Sequence, residues 1–424
     1  MHDARVLRDQ LDVLRDGMRR RGKLAELAPL IDRGAALDVE RRTTIQAVEE
    51  RKAARNANSQ EVSRRKKARD DADELIAFGR ELGGAIQRLE TELARIEVEL
   101  GDILLGLPNL TLPDVPEGDE SSNQVLVTWG TPRPSDGVRP HWEVGEALGI
   151  LDLPRGAKVS GSGFIVFRAG GARLTRALIN WCIEVHAGEN GYEEVWVPAV
   201  VNRASMTGTS QLPKFEEDMY ALRDEGLFLV PTAEVPVTNL YRDEILDGET
   251  LPRGFVAYTP CFRREAGAAG KDTRGLLRVH EFDKVEIVRY ATPEQGLDEH
   301  ERLTRHAEVL LERLGLPYRR VLLAAGDTGF ASGRTYDLEA WAPGVGRWLE
   351  VSSCSTFTDF QARRANIRYR PAPGEKPRFI HTLNGSGLAL PRIIACILEH
   401  YQQDDGSVVV PDVLRSYVGT DVLR

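Results

Sequence analysis

Apolar residues between positions 82 and 103 recur at alternating steps of four and three, and charged residues fill most positions between them. This is the a/d spacing of a coiled coil, in which a narrow apolar seam faces a partner helix. The pattern therefore predicts one long helix that pairs with another. The seam residues are Leu82, Ile86, Leu89, Leu93, Ile96, Leu100 and Ile103.

The segment 37–67 is helical in composition and is the obvious partner. A charged break at 70–73 separates it from the helix at 82–103, which follows it in the chain, so we predict an antiparallel hairpin that projects into solvent as an arm. The alternative is an ordinary helical face packed on the body, and the charged surfaces of both segments argue against it. The partner seam is weaker and passes to small residues: Leu37, Thr44, Val48, Ala54 and Ala57.

Prolines are concentrated after the second helix, where they favour an extended linker. They are Pro108, Pro113, Pro116, Pro132, Pro134 and Pro140. We therefore divide the chain into an N-terminal helical arm at 1–106, a linker at 107–141 and a second domain at 142–424.

The second domain mixes short strand-like runs with a few helical stretches. Because several strands follow one another without a helix between them, the pattern favours an α+β domain on an antiparallel sheet flanked by helices. Strands are predicted at 164–167, 195–197, 227–230, 255–258, 284–288, 348–351 and 378–381. Helices are predicted at 172–189, 293–314 and 391–402.

Composition narrows the class of protein. The chain has 424 residues, of which 42% are apolar, and this allows one large globular domain beside the arm. The four cysteines form no C-x-x-C pair, which argues against a disulfide framework or a structural zinc. The first residues mix Asp and Arg, and no run is long enough to span a bilayer, so we expect a cytoplasmic protein without a signal peptide.

The net charge of −9 argues against a nucleic-acid partner for the protein as a whole, but the charge is uneven. Residues 1–106 hold 21 Lys and Arg and 21 Asp and Glu, so the deficit lies beyond them. Between 51 and 69 the single acidic residue is Glu61. This one-sided run predicts an RNA-binding surface near the tip of the arm, with a solvated face as the alternative. Its residues, here called the basic patch, are Arg51, Lys52, Arg55, Arg64, Arg65, Lys66, Lys67 and Arg69.

The densest group of chemistry-bearing residues lies between 261 and 286. It is typical of a strand, a basic glycine-bearing loop at 271–275 and a returning strand. Such a hairpin suits ATP, because a guanidinium binds phosphate, a carboxylate accepts from the adenine amino group and a flat ring stacks on adenine. A second candidate is the small-residue run 384–392, where a helix N-terminus and an arginine would make an anion site, with a simple helix cap as the commoner alternative for such a run taken alone. The Rossmann and P-loop motifs are both missing from the sequence.

Together these segments resemble the signature motifs of class II aminoacyl-tRNA synthetases, in their seryl form. Residues 191–198, Gly-Tyr-Glu-Glu-Val-Trp-Val-Pro, resemble motif 1, whose proline ends a strand at the dimer interface. Residues 262–286 resemble motif 2, and 384–392 resemble motif 3. The segments 207–215 and 232–234 are further seryl-type features. The helical arm matches the tRNA-binding arm of this family, so the resemblance covers essentially the whole chain.

The resemblance implies a class II catalytic domain that activates L-serine with ATP and Mg²⁺ to seryl-adenylate. It then implies transfer of the seryl group to tRNA(Ser), and to tRNA(Sec), by a homodimeric serine–tRNA ligase. The basic patch would bind the tRNA. Nothing in this scheme involves a membrane.

The resemblance also implies roles by position. Arg263, Glu350 and Arg392 would be catalytic, with Arg263 between the α-phosphate and the serine carboxylate and Arg392 at the γ-phosphate. Glu350 and Ser353 would hold Mg²⁺. The ATP site would comprise Arg263, Arg264, Glu265, Val279, Phe282, Glu350, Val351, Ser352, Ser353 and Arg392. The serine site would comprise Thr232, Ala233, Glu234, Arg263, Glu286, Asn384 and Ser386.

Small departures from the family pattern include Ser210, where glycine is common, and Leu390-Pro391, where Val-Gly is frequent. They leave room for a specialised synthetase paralogue that serves antibiotic biosynthesis or resistance. An amino-acid:carrier-protein ligase is disfavoured because such homologues lack the arm. A non-catalytic RNA-binding scaffold is disfavoured because the arginines at 263 and 392 are present.

Overall fold

The computed structural model describes residues 1–266 and 274–424, so most of the basic loop predicted at 271–275 lies outside the described residues. The chain divides into two compact units, Met1–Pro108 and Asn109–Arg424.

The first unit is a helical hairpin with two short helices before it. Its helices are α1 (Val6–Asp9), α2 (Leu11–Arg20), α3 (Leu24–Ala68) and α4 (Asp73–Gly106). Helix α3 begins before the predicted residue 37, because its first turns pack on α1 and α2 and bury Leu14, Met18 and Ile31. Ion pairs Arg33–Glu99 and Lys52–Glu90 join the two long helices in antiparallel order.

The predicted seam of α4 is confirmed. Ile86, Ile96, Leu100 and Ile103 are buried, and the other three leucines of the seam are half-buried. The break between the helices is also confirmed, since Arg69 takes a left-handed conformation with a φ of 62° and ends α3.

The seam predicted for α3 is wrong beyond Val48. Ala54 and Ala57 are exposed, whereas Asn58 is half-buried and its Nδ2 donates a 2.7 Å hydrogen bond to the carbonyl of Leu75. At 3.6 residues per turn, the face that carries Val48 continues through 51, 55, 58 and 62 rather than through the alanines. A polar contact therefore replaces the expected small-residue packing near the tip.

The second unit contains a large sheet, several helices and three small sheets. Its helices are α5 (His141–Ala147), α6 (Leu153–Ser160), α7 (Gly170–Gly188), α8 (Arg203–Gly208), α9 (Glu234–Thr238), α10 (Gly296–Arg313), α11 (Phe360–Ala365), α12 (Leu390–His400) and α13 (Arg415–Val418). Its strands are β1 (Gln124–Trp129), β2 (Glu193–Glu194), β3 (Val200–Asn202), β4 (Leu227–Leu229), β5 (Ile245–Asp247), β6 (Arg253–Phe262), β7 (Glu281–Ala291), β8 (Tyr318–Leu322), β9 (Arg334–Ala342), β10 (Arg347–Thr356), β11 (Arg368–Arg370), β12 (Arg378–Phe379), β13 (His381–Ala389), β14 (Val408–Val409) and β15 (Val422–Leu423).

The main sheet has eight strands in the order β1-β8-β9-β10-β13-β7-β6-β2. Every neighbouring pair is antiparallel except β2 and β6. The predicted antiparallel α+β architecture is thus confirmed. Strand β1 lies within the segment 107–141 that the prolines predicted as a linker, and it forms one edge of the sheet.

Two predicted strands are wrong. Residues 164–167 form only an isolated bridge, between Phe167 and Leu151. In the run 195–197 the strand has already ended at Glu194, although the N–H of Val195 still bonds the carbonyl of Val256 at 2.9 Å. An extended loop can be as apolar as a strand. Composition alone therefore does not distinguish these two runs from strands.

The sheet separates an apolar core from a polar face. Helices α7, α10 and α12 supply buried side chains such as Leu178, Leu310 and Ile394 to the core. Along β7, Val285 and Ile287 join that core, so Lys284 and Glu286, which alternate with them, face the other way. The alternation thus directs charged residues into one concave surface.

Strand β13 contains a bulge at its C-terminal end. Ser386 opposes Glu286 and Leu388 opposes Val285, so Gly387 is an extra residue without a partner on β7. A Cβ at Gly387 would lie 3.0 Å from Nε2 of the buried His186. Helix α12 starts directly after this strand, so the bulge sets the orientation of its first turn.

Candidate active site

The polar face of the sheet carries a pocket of about 660 Å³, a volume suited to a small-molecule ligand. It brings together residues from β7, β10, β13, the start of α12 and the loop that follows β6. The predicted site residues that line it are Thr232, Glu234, Arg263, Glu265, Val279, Phe282, Glu286, Glu350, Ser353, Asn384, Ser386 and Arg392.

Four predicted site residues do not line this pocket. The side chains of Ala233 and Val351 are buried in the apolar core clusters. Ser352 is buried, and its hydroxyl donates a 2.7 Å hydrogen bond to the carbonyl of Ser386. Arg264 is exposed, and its guanidinium donates to the carbonyl of Glu217 at 3.1 Å. Ser352 thus tethers the strand that carries Ser386.

One end of the pocket is a buried cluster of charges. Lys284 forms an ion pair with Glu286, and its Nζ also donates a 2.9 Å hydrogen bond to Oγ1 of Thr232. Thr232 Oγ1 accepts a second bond, of 3.1 Å, from the backbone N–H of Glu234. Asn384 Nδ2 donates to Glu286 Oε1 at 3.0 Å. Two carboxylates and one ammonium leave this end with a formal charge of −1 when all are ionised, which matches the cationic amino group of an amino acid.

Burial perturbs both carboxylates of this cluster. Burial first, and then the charge of Glu286, raises the pKa of Glu234 to about 7. Burial also raises the pKa of Glu286, against the opposing charge of Lys284. Perturbed carboxylates in a cleft are typical of binding and catalytic sites.

The pocket also holds two arginines at the ends of secondary-structure elements, and the charge of one of them, Arg263, acts on the carboxyls of Glu234 and Glu286. Arg263 follows β6, and its guanidinium lies 5.2 Å from the centroid of the Phe282 ring. Arg392 is in the first turn of α12, and its Nε donates to the carbonyl of Leu277 at 3.2 Å. Glu265 has a positive φ of 50° and forms an ion pair with Arg278. A helix N-terminus beside two arginines favours a polyanion.

Oxygen atoms that could bind a cation lie on β9 and β10, next to Arg392. Glu350 is nearly half exposed, Ser353 lies further along the same strand, and the carboxyl of Asp337 on β9 is buried. Asp337 Oδ1 has no hydrogen-bond partner in the part of the chain that the structure describes. Burial, and then the charge of Glu350, raises the pKa of Asp337 well above its ordinary value. An unpartnered oxygen beside a second carboxylate fits a hard divalent cation.

This set is not a complete metal cage. Among the described residues, no three His, Cys, Asp or Glu side chains are grouped as they would be to hold a metal ion. Mg²⁺ commonly takes one or two carboxylates and completes its shell with water and substrate phosphates, so a sparse oxygen set beside an anion site is compatible with it.

Sequence reasoning missed Lys284 and Asp337. Lys284 could have been predicted, because in the strand expected at 284–288 its side chain lies on the same face as that of Glu286. Asp337 was missed because no strand was predicted at 334–342, so the hairpin that places β9 beside β10 was not recognised.

The basic patch lies on the C-terminal half of α3 and on the turn after it. Its members are exposed, except for Arg51, which is half-buried. Arg64 and Arg65 share Glu61 as an ion-pair partner, and Lys52 pairs with Glu90 across the hairpin. Such exposed pairs are weak, so the patch keeps its positive character.

Family models match both parts of the chain. Residues 1–111 match the seryl-tRNA synthetase N-terminal domain, and residues 215–401 match the tRNA synthetase class II core domain (G, H, P, S and T). A serine–tRNA ligase from Gemmatimonas aurantiaca is 66% identical over 424 residues, which is 100% of both chains. The chain belongs to the seryl-tRNA synthetase family.

Other members of the seryl-tRNA synthetase family are similar over the full length. A serine–tRNA ligase from Geobacillus kaustophilus is 52% identical over 427 residues and 100% of both chains. The crystal structure of seryl-tRNA synthetase from Pyrococcus horikoshii complexed with ATP superposes with a TM-score of 0.94 at 38% identity, covering 100% of this chain and 99% of that one. The resemblance drawn from the motifs is therefore confirmed. Among the residues that the structure describes, no helix is long and apolar enough to cross a membrane.

Proposed function

We propose that the pocket performs both steps of serine attachment to tRNA, with ATP as the activating substrate. The observation that carries the proposal is the polarity of this single pocket. Its buried anionic end suits the ammonium and hydroxyl of serine, and its arginines suit the phosphates of ATP. Family membership supports the same reaction, and the activity of the chain is that of a serine–tRNA ligase.

In the first step a serine carboxylate oxygen attacks the α-phosphorus of ATP, and the bond to the pyrophosphate oxygen breaks. Charge is present on phosphate oxygens throughout, so catalysis rests on positioning and fixed positive charge. Arg263 would bind the α-phosphate and the serine carboxylate together, and Arg392 would bind the γ-phosphate. Glu265 would accept from the adenine amino group, while Phe282 and Val279 would contact the ring.

Recognition of serine would use the buried end. Glu234 would accept from the ammonium, and Thr232 and the backbone of Ala233 would contact it. Glu286, supported by Asn384, would accept from the serine hydroxyl, and Ser386 would contact it. Alanine would leave Glu286 without that donor, and an unmet buried carboxylate is costly.

Mg²⁺ fits the oxygen atoms of Glu350 and Ser353, beside the unpartnered Asp337 oxygen. When bound, it would neutralise charge on the phosphates. Arg264, Val351 and Ser352 would support the ATP site through their neighbours, since their side chains do not line the pocket.

In the second step a ribose hydroxyl at the tRNA 3′ end attacks the carbonyl carbon of seryl-adenylate. The bond between that carbon and the phosphate oxygen breaks, AMP leaves, and the hydroxyl proton passes to a phosphate oxygen of the AMP. We propose that the arm, 1–106, binds tRNA(Ser) through the basic patch. The segment 107–141 would connect the arm to the catalytic domain, 142–424, and it also contributes strand β1 to the main sheet of that domain. Charging of tRNA(Sec) stays a prediction. Because ATP and tRNA are cytoplasmic substrates, we infer that the enzyme acts there.

We further propose a homodimer that uses the segment 192–198. Tyr192 and Val197 are buried in the protomer, but the Trp196 side chain between them is 83% exposed. A large exposed aromatic beside a strand of the main sheet is typical of an interface core.

The test of the reaction uses two assays on the same preparation. Serine-dependent ATP–pyrophosphate exchange would support the first step, and charging of total tRNA with labelled serine would support the second. Exchange without charging would instead favour a carrier-protein ligase or a specialised paralogue. Failure of both, with intact tRNA binding, would favour a scaffold.

A further inference from the structure

We propose that Gln361 is a positioning residue for serine recognition, whose buried amide fixes the Glu234 carboxylate so that its second oxygen is available to the substrate ammonium. The inference rests on the role proposed above for Glu234. Gln361 lies on α11, outside all three signature motifs, and sequence reasoning did not single it out.

The geometry is a linear chain of buried hydrogen bonds. Gln361 Nε2 donates to Glu234 Oε1 at 2.6 Å, and Gln361 Oε1 accepts from Thr382 Oγ1 at 2.8 Å. Gln361 and Thr382 are both 0% exposed. An ionised carboxylate can only accept, so the amide N–H₂ must face Glu234 and the threonine hydroxyl must serve the amide oxygen. The order of the chain is therefore fixed by donor and acceptor chemistry.

Glu234 is held at one oxygen only. It lines the pocket, and no described residue donates to its Oε2. With Oε1 occupied by Gln361, rotation of the carboxylate would break a bond between two buried groups. Such a cost favours one orientation, which leaves Oε2 for a ligand in the pocket.

The same bond favours the ionised form of Glu234. Glu286, Lys284 and Arg263 are the charged groups that act on it. Burial and the charge of Glu286 raise the pKa of Glu234 to about 7, while the bond from Gln361 opposes that rise, as do Lys284 and Arg263. Only the carboxylate attracts an ammonium, so loss of the amide donor makes productive serine binding require a higher pH.

A purely structural role would have a different signature. Gln361 connects α11 to β13 through Thr382, so its loss could lower stability alone. Lower stability reduces the amount of active enzyme at every pH. It does not move the pH midpoint of serine use, and it does not separate the KM for serine from the KM for ATP.

The test is the pH dependence of kcat/KM for serine in pyrophosphate exchange, at saturating ATP, for Gln361→Leu and Gln361→Glu. Leucine removes the donor, and glutamate keeps the size but places a second carboxyl against Glu234. We expect the midpoint to move to higher pH in the order wild type, Leu, Glu. At pH 7 the KM for serine should rise about tenfold, the effect of losing one buried hydrogen bond, with the KM for ATP within about twofold.

The matched control is Gln402→Leu. Gln402 is also a buried amide with both ends bonded, to the backbone N–H and carbonyl of Arg139, and it does not line the pocket. It should lower the melting temperature without moving the pH midpoint. If Gln361→Leu does not fold, the isosteric Gln361→Glu and the milder Thr382→Val still test the proposal, with Thr382→Val giving a smaller shift in the same direction.

The variant Glu234→Gln tests the role of Glu234 separately from the role of Gln361. If that variant keeps the wild-type KM for serine, the role of Glu234 is wrong and the inference about Gln361 falls with it. If Glu234→Gln loses serine while both Gln361 variants keep the wild-type midpoint and KM, the inference alone is overturned.

Discussion

Arg392 Nη1 donates a 2.7 Å hydrogen bond to the main-chain carbonyl of Glu350, and the same guanidinium lies 3.4 Å from the Glu350 carboxylate. The proposed γ-phosphate ligand and the proposed metal ligand are therefore coupled before any substrate binds. A rigid pair of this kind can act on phosphate charge without first reorganising.

This coupling predicts that Glu350→Gln will raise the Mg²⁺ concentration needed for half-maximal pyrophosphate exchange by about tenfold or more, because an oxygen ligand loses its charge. The measurement is the exchange rate over a Mg²⁺ titration. Glu189→Gln, which removes an exposed carboxylate paired with Arg313, is the control and should leave the titration unchanged. An unshifted titration for Glu350→Gln would remove Glu350 from the metal site.

Arg263→Ala should lower pyrophosphate exchange by about 10²–10³ or more, because one guanidinium aligns two reacting anions. Arg263→Lys should recover only part of the activity, since an ammonium cannot bind both anions in the planar bidentate manner. Thermal melting is expected to stay near wild type, because Arg263 is exposed. Exchange within tenfold of wild type for Arg263→Ala would contradict the role.

Glu286→Ala should weaken serine use more than ATP use and reduce the preference for serine over alanine. The physical reason is that Glu286 is a buried acceptor, and alanine lacks the hydroxyl that would donate to it in addition to Lys284 and Asn384. The measurement is kcat/KM for serine and for alanine in pyrophosphate exchange, with a fall in their ratio of about tenfold or more. Asn384→Ala, which removes one donor to Glu286, should change the ratio in the same direction by less. An unchanged ratio would show that another group recognises the hydroxyl.

Replacing Arg64, Arg65, Lys66 and Lys67 together with glutamine should weaken tRNA binding and leave pyrophosphate exchange intact. For every RNA phosphate that is no longer neutralised, the slope of log K against log salt should become shallower by about 0.7–0.9. The measurement is tRNA affinity between 50 and 200 mM salt, roughly the range over which such slopes are resolved. Arg33→Gln and Arg41→Gln are matched controls, since both residues lie on α3 outside the patch and pair with Glu99 and Glu97. Equal slopes for patch and control variants would refute the patch as the RNA-binding surface.

Trp196→Ser should shift the dimer towards monomer by removing the exposed aromatic of the segment 192–198. Light scattering across a dilution series would measure the shift. Val197→Ser is the comparison, because Val197 is buried and its replacement should lower the melting temperature without a specific effect on association. A fully active monomer in the wild type would overturn the proposal.

Sequence alone predicted the features that depend on local order. The a/d spacing of α4 requires only the residues of α4, and the seam was correct from Leu82 to Ile103. The site was predicted from motif residues that lie close together in the chain. The prediction that Ala54 belongs to the seam of α3 was wrong. Beyond Val48 the sequence does not show which face of α3 packs against α4.

What sequence could not give depends on which strands and helices become neighbours. Asp337 lies opposite Ser353 because β9 pairs with β10 in a hairpin whose first strand was not predicted. Gln361, on α11, reaches Glu234 across 127 positions of the chain and also bonds Thr382. Hydrophobic periodicity does not predict such contacts. Asp337 and Gln361 were therefore missed, although an Asp and a Gln are both residue types that occur in binding sites.

The bulge at Gly387 fixes the number of residues between Ser386 and Arg392. Five residues separate Ser386 from Arg392, and one of them is the extra residue of the bulge. Deleting one would move Arg392 to the place of Pro391, about 100° around the helix and about 1.5 Å along it. Such a deletion mutant would retain Ser386 and Arg392 and yet separate the arginine from Glu350. In relatives that share the contact between Arg392 and Glu350, we therefore expect substitutions at 387–391 to be tolerated far better than insertions or deletions there.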